Sequence, residues 1–180
     1  MDKQTMFPDF TLNGKKLIEC EEVKYLGHII TNTLRDDKDI LRQRCVLYAQ
    51  GNMLVRKFYM CSIEVKIQLF RTYCTPLYTA QLWWNYSAAA LRKMTVAYND
   101  VLRMLLGVPR HTSASEAFAA CGLPTYAATI RRLVYSFMGR LTSSANVLIH
   151  QMVDTSTSDT QYTSNIWRHW YKELYVHFYI

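Results

Sequence analysis

The densest group of side chains able to do chemistry is Asp36-Asp37-Lys38-Asp39. Polymerases and nucleases hold pairs of divalent metal ions with grouped carboxylates, so such a cluster raises metal-assisted phosphoryl transfer. The same residues also suit the start of a helix. A carboxylate can cap the first free backbone N–H groups, and an acid in the first turn meets the positive end of the helix dipole. No second carboxylate cluster follows to complete a metal site, so the helix start is the preferred reading, with Asp36 or Asp37 as cap and Asp39 in the first turn. His28, His111, His150, His169 and His177 have no local ligand spacing. Cys61 and Cys74 lie near basic residues, which can lower a thiol pKa, but small buried side chains are the better expectation. No Gly-rich phosphate loop, G-x-S-x-G, H-E-x-x-H or C-x-x-C occurs, so an independent active site is not expected.

Positive charge is the stronger signal. The chain of 180 residues has a formal net charge of +7, unevenly spread. Residues 1–50 carry eight basic and eight acidic side chains, residues 51–150 eleven and three, and the last thirty two and three. On a helical wheel Lys38, Arg42 and Arg56 fall together, with Lys57 nearby, and such a face can follow a phosphate backbone without reading sequence. From the pattern alone a solvated helix face is the more frequent outcome. Trp83 and Trp84 could stack bases, yet Leu82 and the uncharged context favour a core or interface position.

Elements must position these groups. Asn13-Gly14 between Phe10-Thr11-Leu12 and Lys16-Leu17-Ile18 is a hairpin signal, because a type I′ turn needs positive φ at both central residues. Val23 to Thr31 reads as one longer strand, with Gly27 marking a bulge or a close backbone approach. From Asp36 to Tyr59 the period becomes helical. Ile40, Leu41, Leu47, Tyr48, Leu54, Val55, Phe58 and Tyr59 share a broad face. Gly51 inside that helix marks a kink or a tightly packed neighbour. Further helices are expected from Ser62 to about Thr72, Ser87 to Leu106 with Gly107 as C-cap, Ser113 to Cys121 after a capping box, Tyr126 to Leu141, and Asn146 to Val153. The expected fold class is mainly α, a small N-terminal antiparallel β-hairpin followed by a helical bundle.

Five cysteines, an odd number without paired spacing, point to reduced thiols rather than a disulfide framework or a zinc site. The first residues lack the apolar core of a signal peptide. Residues 72–91 are uncharged, but their Thr, Gln, Asn and Pro content favours a buried segment over a membrane span. Residues 154–165 are a Ser/Thr-rich linker by composition, and residues 166–180 form an aromatic amphipathic tail.

One ordered set of short motifs goes further. It runs from Lys24-Tyr25-Leu26-Gly27-His28-Ile29-Ile30 through the Asp-rich cap to Leu47-Tyr48-Ala49-Gln50-Gly51-Asn52-Met53-Leu54. Cys61-Ser62, Tyr73-Cys74-Thr75-Pro76-Leu77-Tyr78 and Leu106-Gly107-Val108-Pro109-Arg110 follow. Over about residues 7–153 this resembles the carboxy-terminal part of a LINE-type (non-LTR retrotransposon) reverse transcriptase, an RNA-directed DNA polymerase. The resemblance implies that residues 1–34 are a primer-grip-like remnant of the palm and residues 35–153 a thumb-like and downstream helical bundle. It implies that Tyr25, Leu26, Gly27 and His28 occupy the primer grip. The wheel adds Lys38, Arg42, Arg56 and Lys57 as contacts to an RNA–DNA template–primer duplex. The family's catalytic Tyr-x-Asp-Asp precedes the Tyr-Leu-Gly strand, whereas the 24 residues before Tyr25 contain no such motif. The expectation is therefore a non-catalytic fragment without fingers, most of the palm or a cofactor of its own. The parent family uses divalent metal ions, Mg, and acts in the nucleus or cytoplasm, with no membrane role. The alternatives are a helical protein-interaction module, contacting partners through Trp83-Trp84 and the Trp167/Trp170 tail, and an inert relic that binds no nucleic acid.

Overall fold

The computed structural model describes residues 10–155, so the linker beyond Thr155 and the aromatic tail lie outside the described residues. The chain opens with two separate two-stranded antiparallel sheets. β1 (Thr11–Leu12) pairs with β2 (Lys15–Lys16) across a turn in which Asn13 and Gly14 take φ of +51° and +75°, the expected type I′ geometry. β3 (Glu22–Tyr25) pairs with β4 (His28–Thr31), Tyr25 opposite His28. The single strand expected over residues 23–31 is thus a second hairpin. Its turn residues Leu26 and Gly27 have φ of +47° and +82°, the same twist-matched solution. The left-handed conformation costs a leucine about 1–2 kcal/mol, and nothing in the local pattern marks Leu26 for it. At Gly27 the close approach is real and no bulge forms, because a Cβ there would stand 3.1 Å from the Tyr78 ring.

A helical bundle follows: α1 (Asp37–Phe58), α2 (Ile63–Tyr73), a 3-10 turn (Ala80–Leu82), α3 (Ala88–Leu106), α4 (Ala114–Ala120), α5 (Tyr126–Thr142) and α6 (Val147–Thr155). Residues 154 and 155, expected to open the linker, are the last two of α6. Ser62 stands at the expected N-cap of α2 but makes no side-chain cap bond, whereas three other helix starts are capped. Ser87 Oγ accepts from Ala90 N, Ser113 Oγ from Glu116 N and Thr125 Oγ1 from Ala128 N, while Gly107 closes α3 in the left-handed conformation. The fold is mainly α behind a small antiparallel β region.

The central packing is between α1 and α3. Asp37 meets Ser87, Tyr48 meets Asp100 and Gly51 meets Val101, so contacts advance together along both helices, which therefore run parallel. Val101 Cγ1 lies 2.7 Å from where a Gly51 Cβ would be, so the mid-helix glycine serves close packing. The buried line of α1 is Ile40, Gln43, Leu47, Gly51 and Leu54, while Leu41 and Tyr59, expected on the same face, are exposed. Behind α3 the core is aromatic. Phe70 meets Tyr98 edge-on with ring centroids 5.2 Å apart, and Phe118 stacks on Tyr98 at 5.4 Å. Both are favourable quadrupole arrangements. The Tyr98 hydroxyl is satisfied inside this core by Pro124 O and Thr129 Oγ1.

Candidate functional site

The start of α1 is a hub rather than a free helix end. Asp39 is fully buried, and its Oδ1 accepts from Arg42 Nε at 2.7 Å and from the Ile29 amide at 3.1 Å. Its Oδ2 accepts from Trp83 Nε1 at 2.8 Å and Thr79 Oγ1 at 2.9 Å. His28 Nδ1 lies 3.0 Å from the same oxygen, at ion-pair distance but not aligned for a hydrogen bond. Burial pushes the Asp39 carboxyl up, but hydrogen bonds from Arg42, Trp83, Ile29 and Thr79 outweigh it and hold the pKa below the usual carboxylate value.

The neighbouring acids bind the same distant segment. Asp36 Oδ2 accepts from the Trp84 and Asn85 amides, both at 2.9 Å. Here burial dominates those bonds, and the carboxyl is raised. Asp37 Oδ1 accepts from the Ser87 amide at 3.0 Å and the Ser87 hydroxyl at 2.5 Å. Asp36 occupies the cap position of α1 but makes no side-chain cap bond. The cap expected from Asp36 or Asp37 is corrected accordingly: their carboxylates serve the chain at residues 84–87. Asp39 does lie in the first turn, as expected.

This geometry does not fit a divalent metal ion. Each Asp39 oxygen already faces two N–H or O–H donors, so a cation there would meet donor protons as well as the Arg42 guanidinium. Among the described residues no group of three His, Cys, Asp or Glu side chains is placed to hold a metal ion.

The expected nucleic-acid residues separate into two sets. Tyr25 and Leu26 are 63% and 72% exposed at the tip of the second hairpin, and Arg56 and Lys57 are exposed near the end of α1. The other cations are engaged. Lys38 Nζ pairs with Glu22 Oε2 at 2.5 Å, and Arg42 is clamped on Asp39 with a further bond to Thr79 Oγ1 at 3.3 Å. Gly27 lies over Tyr78, and the His28 side chain is 14% exposed. A helical wheel separates Arg42 from the buried face of α1, but the first turns are also wrapped by β4 and the Thr79–Trp83 segment, which no wheel contains. Trp83 is in the core, as expected. All five cysteines are free thiols, with Cys74 buried and pushed up to about 12 by that burial. No helix among the described residues is long and apolar enough to cross a membrane.

Thr79, Asn85 and Ser87 were not singled out from sequence as partners of these acids. Their signal is indirect: an uncharged run carrying many side-chain donors, in a chain with three grouped carboxylates.

No family model matches this chain, and no solved structure matches it. Over 150 residues it is 23% identical to the RNA-directed DNA polymerase from mobile element jockey of Drosophila funebris. The matched stretch is 81% of this chain but 16% of that protein. Over most of its length, then, the chain is similar to a piece of a reverse transcriptase from a non-LTR mobile element.

Proposed function

We propose that this chain is a non-catalytic, thumb-like piece of a non-LTR reverse transcriptase that holds a template–primer duplex. The similarity to the jockey polymerase across 81% of the chain carries this reading. The fold agrees with it physically: a hairpin with an exposed tip is rigidly attached to a bundle rich in basic side chains. The Asp39 hub is the attachment. It joins β4, α1 and the Thr79–Trp83 segment, so Tyr25, Leu26 and Gly27 stand at a fixed position relative to the bundle. Arg56 and Lys57 supply exposed charge farther along α1. Lys38, Arg42 and His28 act through position in this scheme, since the first two are paired with acids and His28 packs on Asp39.

Fluorescence anisotropy of a labelled RNA–DNA duplex tests the proposal. Affinity is expected to fall steeply as salt rises from 50 to 200 mM, with a log–log slope of about −0.9 per phosphate contact. Absence of binding at the lowest salt overturns it.

A second reading, a protein-interaction module, is favoured by the exposed apolar side chains of the hairpins, among them Leu12, Ile18, Val23 and Leu26. Size-exclusion chromatography against concentration separates the two readings: a stable oligomer indifferent to duplex supports the second.

A further inference from the structure

The cations that face a groove in this structure are not those the helical wheel selects. Where α1 and α3 start side by side, a half-open cavity of about 330 Å³ is lined by Leu41 and Arg44 of α1 and by Ala90 and Lys93 of α3. One or two turns farther along the same helices a second cavity, about 390 Å³, is lined by Tyr48, Asp100, Arg103 and Arg110. Both cavities lie along the seam where α1 and α3 run parallel, the α1–α3 valley.

Its charge is one-sided. Arg44 and Lys93 make no ion pair among the described residues. Arg103 and Arg110 share the single carboxylate of Asp100, at 3.2 and 3.0 Å, which leaves a net positive charge there. One acid, Asp37, lines the first cavity with Arg44 and Lys93, and its carboxylate is paired with Arg35. From Asp37 to Tyr48 is eleven residues of helix, about 16 Å of axis.

We propose that the α1–α3 valley is a track for the phosphate backbone of a nucleic-acid strand, with Arg44 and Lys93 making direct contacts and Arg103 and Arg110 extending the positive path. This rests on the duplex-holding function proposed above and locates its main contact. A solvated pair of side chains would be free to point away from each other. Arg44 and Lys93 instead line one cavity from opposite helices, so a single strand between them meets both.

The test compares two double variants of the full chain, Arg44→Gln with Lys93→Gln, and Arg56→Gln with Lys57→Gln. None of the four has a carboxylate partner among the described residues, so unfolding midpoints followed by circular dichroism should stay at the wild-type value. Duplex binding is then measured by anisotropy across a salt series. The valley variant is expected to flatten the log–log salt slope by about 1 for each cation removed, about 2 in all, and the Arg56/Lys57 variant by much less. A wild-type slope in the valley variant, while the wild-type chain binds, overturns the track and leaves the broader function standing. If the wild-type chain does not bind duplex, both fall. A valley variant with a shifted unfolding midpoint is replaced by Arg44→Lys with Lys93→Arg. That charge-preserving pair should keep the wild-type slope, and a slope flattened by about 2 there overturns the proposal.

Discussion

Replacing Asp39 by Asn tests whether the hub holds the hairpin to the bundle. The side chain is isosteric and fully buried, so packing is unchanged while the charge and one acceptor oxygen are lost. Whichever oxygen becomes the amide nitrogen, two donors are left facing a donor: Arg42 Nε and Ile29 N on one side, or Thr79 Oγ1 and Trp83 Nε1 on the other. Hydrogen bonds to a charged acceptor contribute about 1.5–3 kcal/mol each. Two such losses, softened by relaxation, give a destabilisation of about 3–5 kcal/mol, the scale seen when one partner of a buried ion pair is removed. Domains of this size are stable by only about 5–15 kcal/mol, so the effect is large. Urea unfolding followed by far-ultraviolet circular dichroism measures it. Thr79→Val, which removes one donor and leaves the carboxylate in place, should cost about 1.5–3 kcal/mol on the same assay. Asp37→Asn, at a more exposed position, should cost less than Asp39→Asn. A loss below about 1 kcal/mol for Asp39→Asn, with an unchanged denaturant slope, would refute the hub.

Other expectations concern pH, packing, thiols and chemistry. The folded-state pKa values of Asp39 and Asp37 are lowered, so their stabilisation is present above the unfolded carboxylate value near 4 and is lost as pH falls through the folded values. Asp36 is raised and works the other way, its ionisation penalty vanishing as acid protonates it in the fold. Stability measured by denaturant titration from pH 6 to pH 2 should therefore drop below about pH 4, and Asp39→Asn should flatten that drop. Gly51→Ala improves helix propensity by about 1 kcal/mol, yet its methyl would overlap Val101, so a net loss of about 1–2 kcal/mol is expected, partly restored by Val101→Ala. In thiol titration with an aromatic disulfide, exposed Cys20 and Cys45 should react rapidly and Cys74 only on unfolding. On a primed RNA template with Mg²⁺ and nucleotides, the chain alone should give no extension, because Asp36, Asp37 and Asp39 are committed to protein donors; metal-dependent synthesis would contradict this.

The periodic and capped elements were legible because their causes are local. Ser87, Gly107 and Ser113 act within a few residues of themselves, and their helices begin or end where they indicate. The Asn13-Gly14 turn is likewise written in two residues. The second hairpin was missed because Leu26 adopts a conformation that its own chemistry disfavours. The third dimension also hid the hub and the valley. Asp39 finds Thr79 and Trp83 across separations of 40 and 44 residues, which no window of sequence joins. Arg44 falls at helical spacing between exposed Leu41 and half-buried Tyr48, inside an arc dominated by apolar residues, so the wheel grouped the cations on the opposite side. Only the packing of α3 turns that position into the edge of a groove.

Parallel packing of α1 against α3 also has a kinetic consequence. Two parallel helices cannot be neighbours across a short turn, so α1 and α3 are joined by residues 59–87, α2 included, and their contacting residues lie about fifty positions apart. Loop closure of that length precedes the contacts that reward it, and folding slows as such separations grow. During synthesis α1 therefore waits without the distant donors of Asp36, Asp37 and Asp39 until residues 79–87 emerge from the ribosome. A chain stopped just after α2 would carry the hairpins and both early helices yet have no lock to hold them.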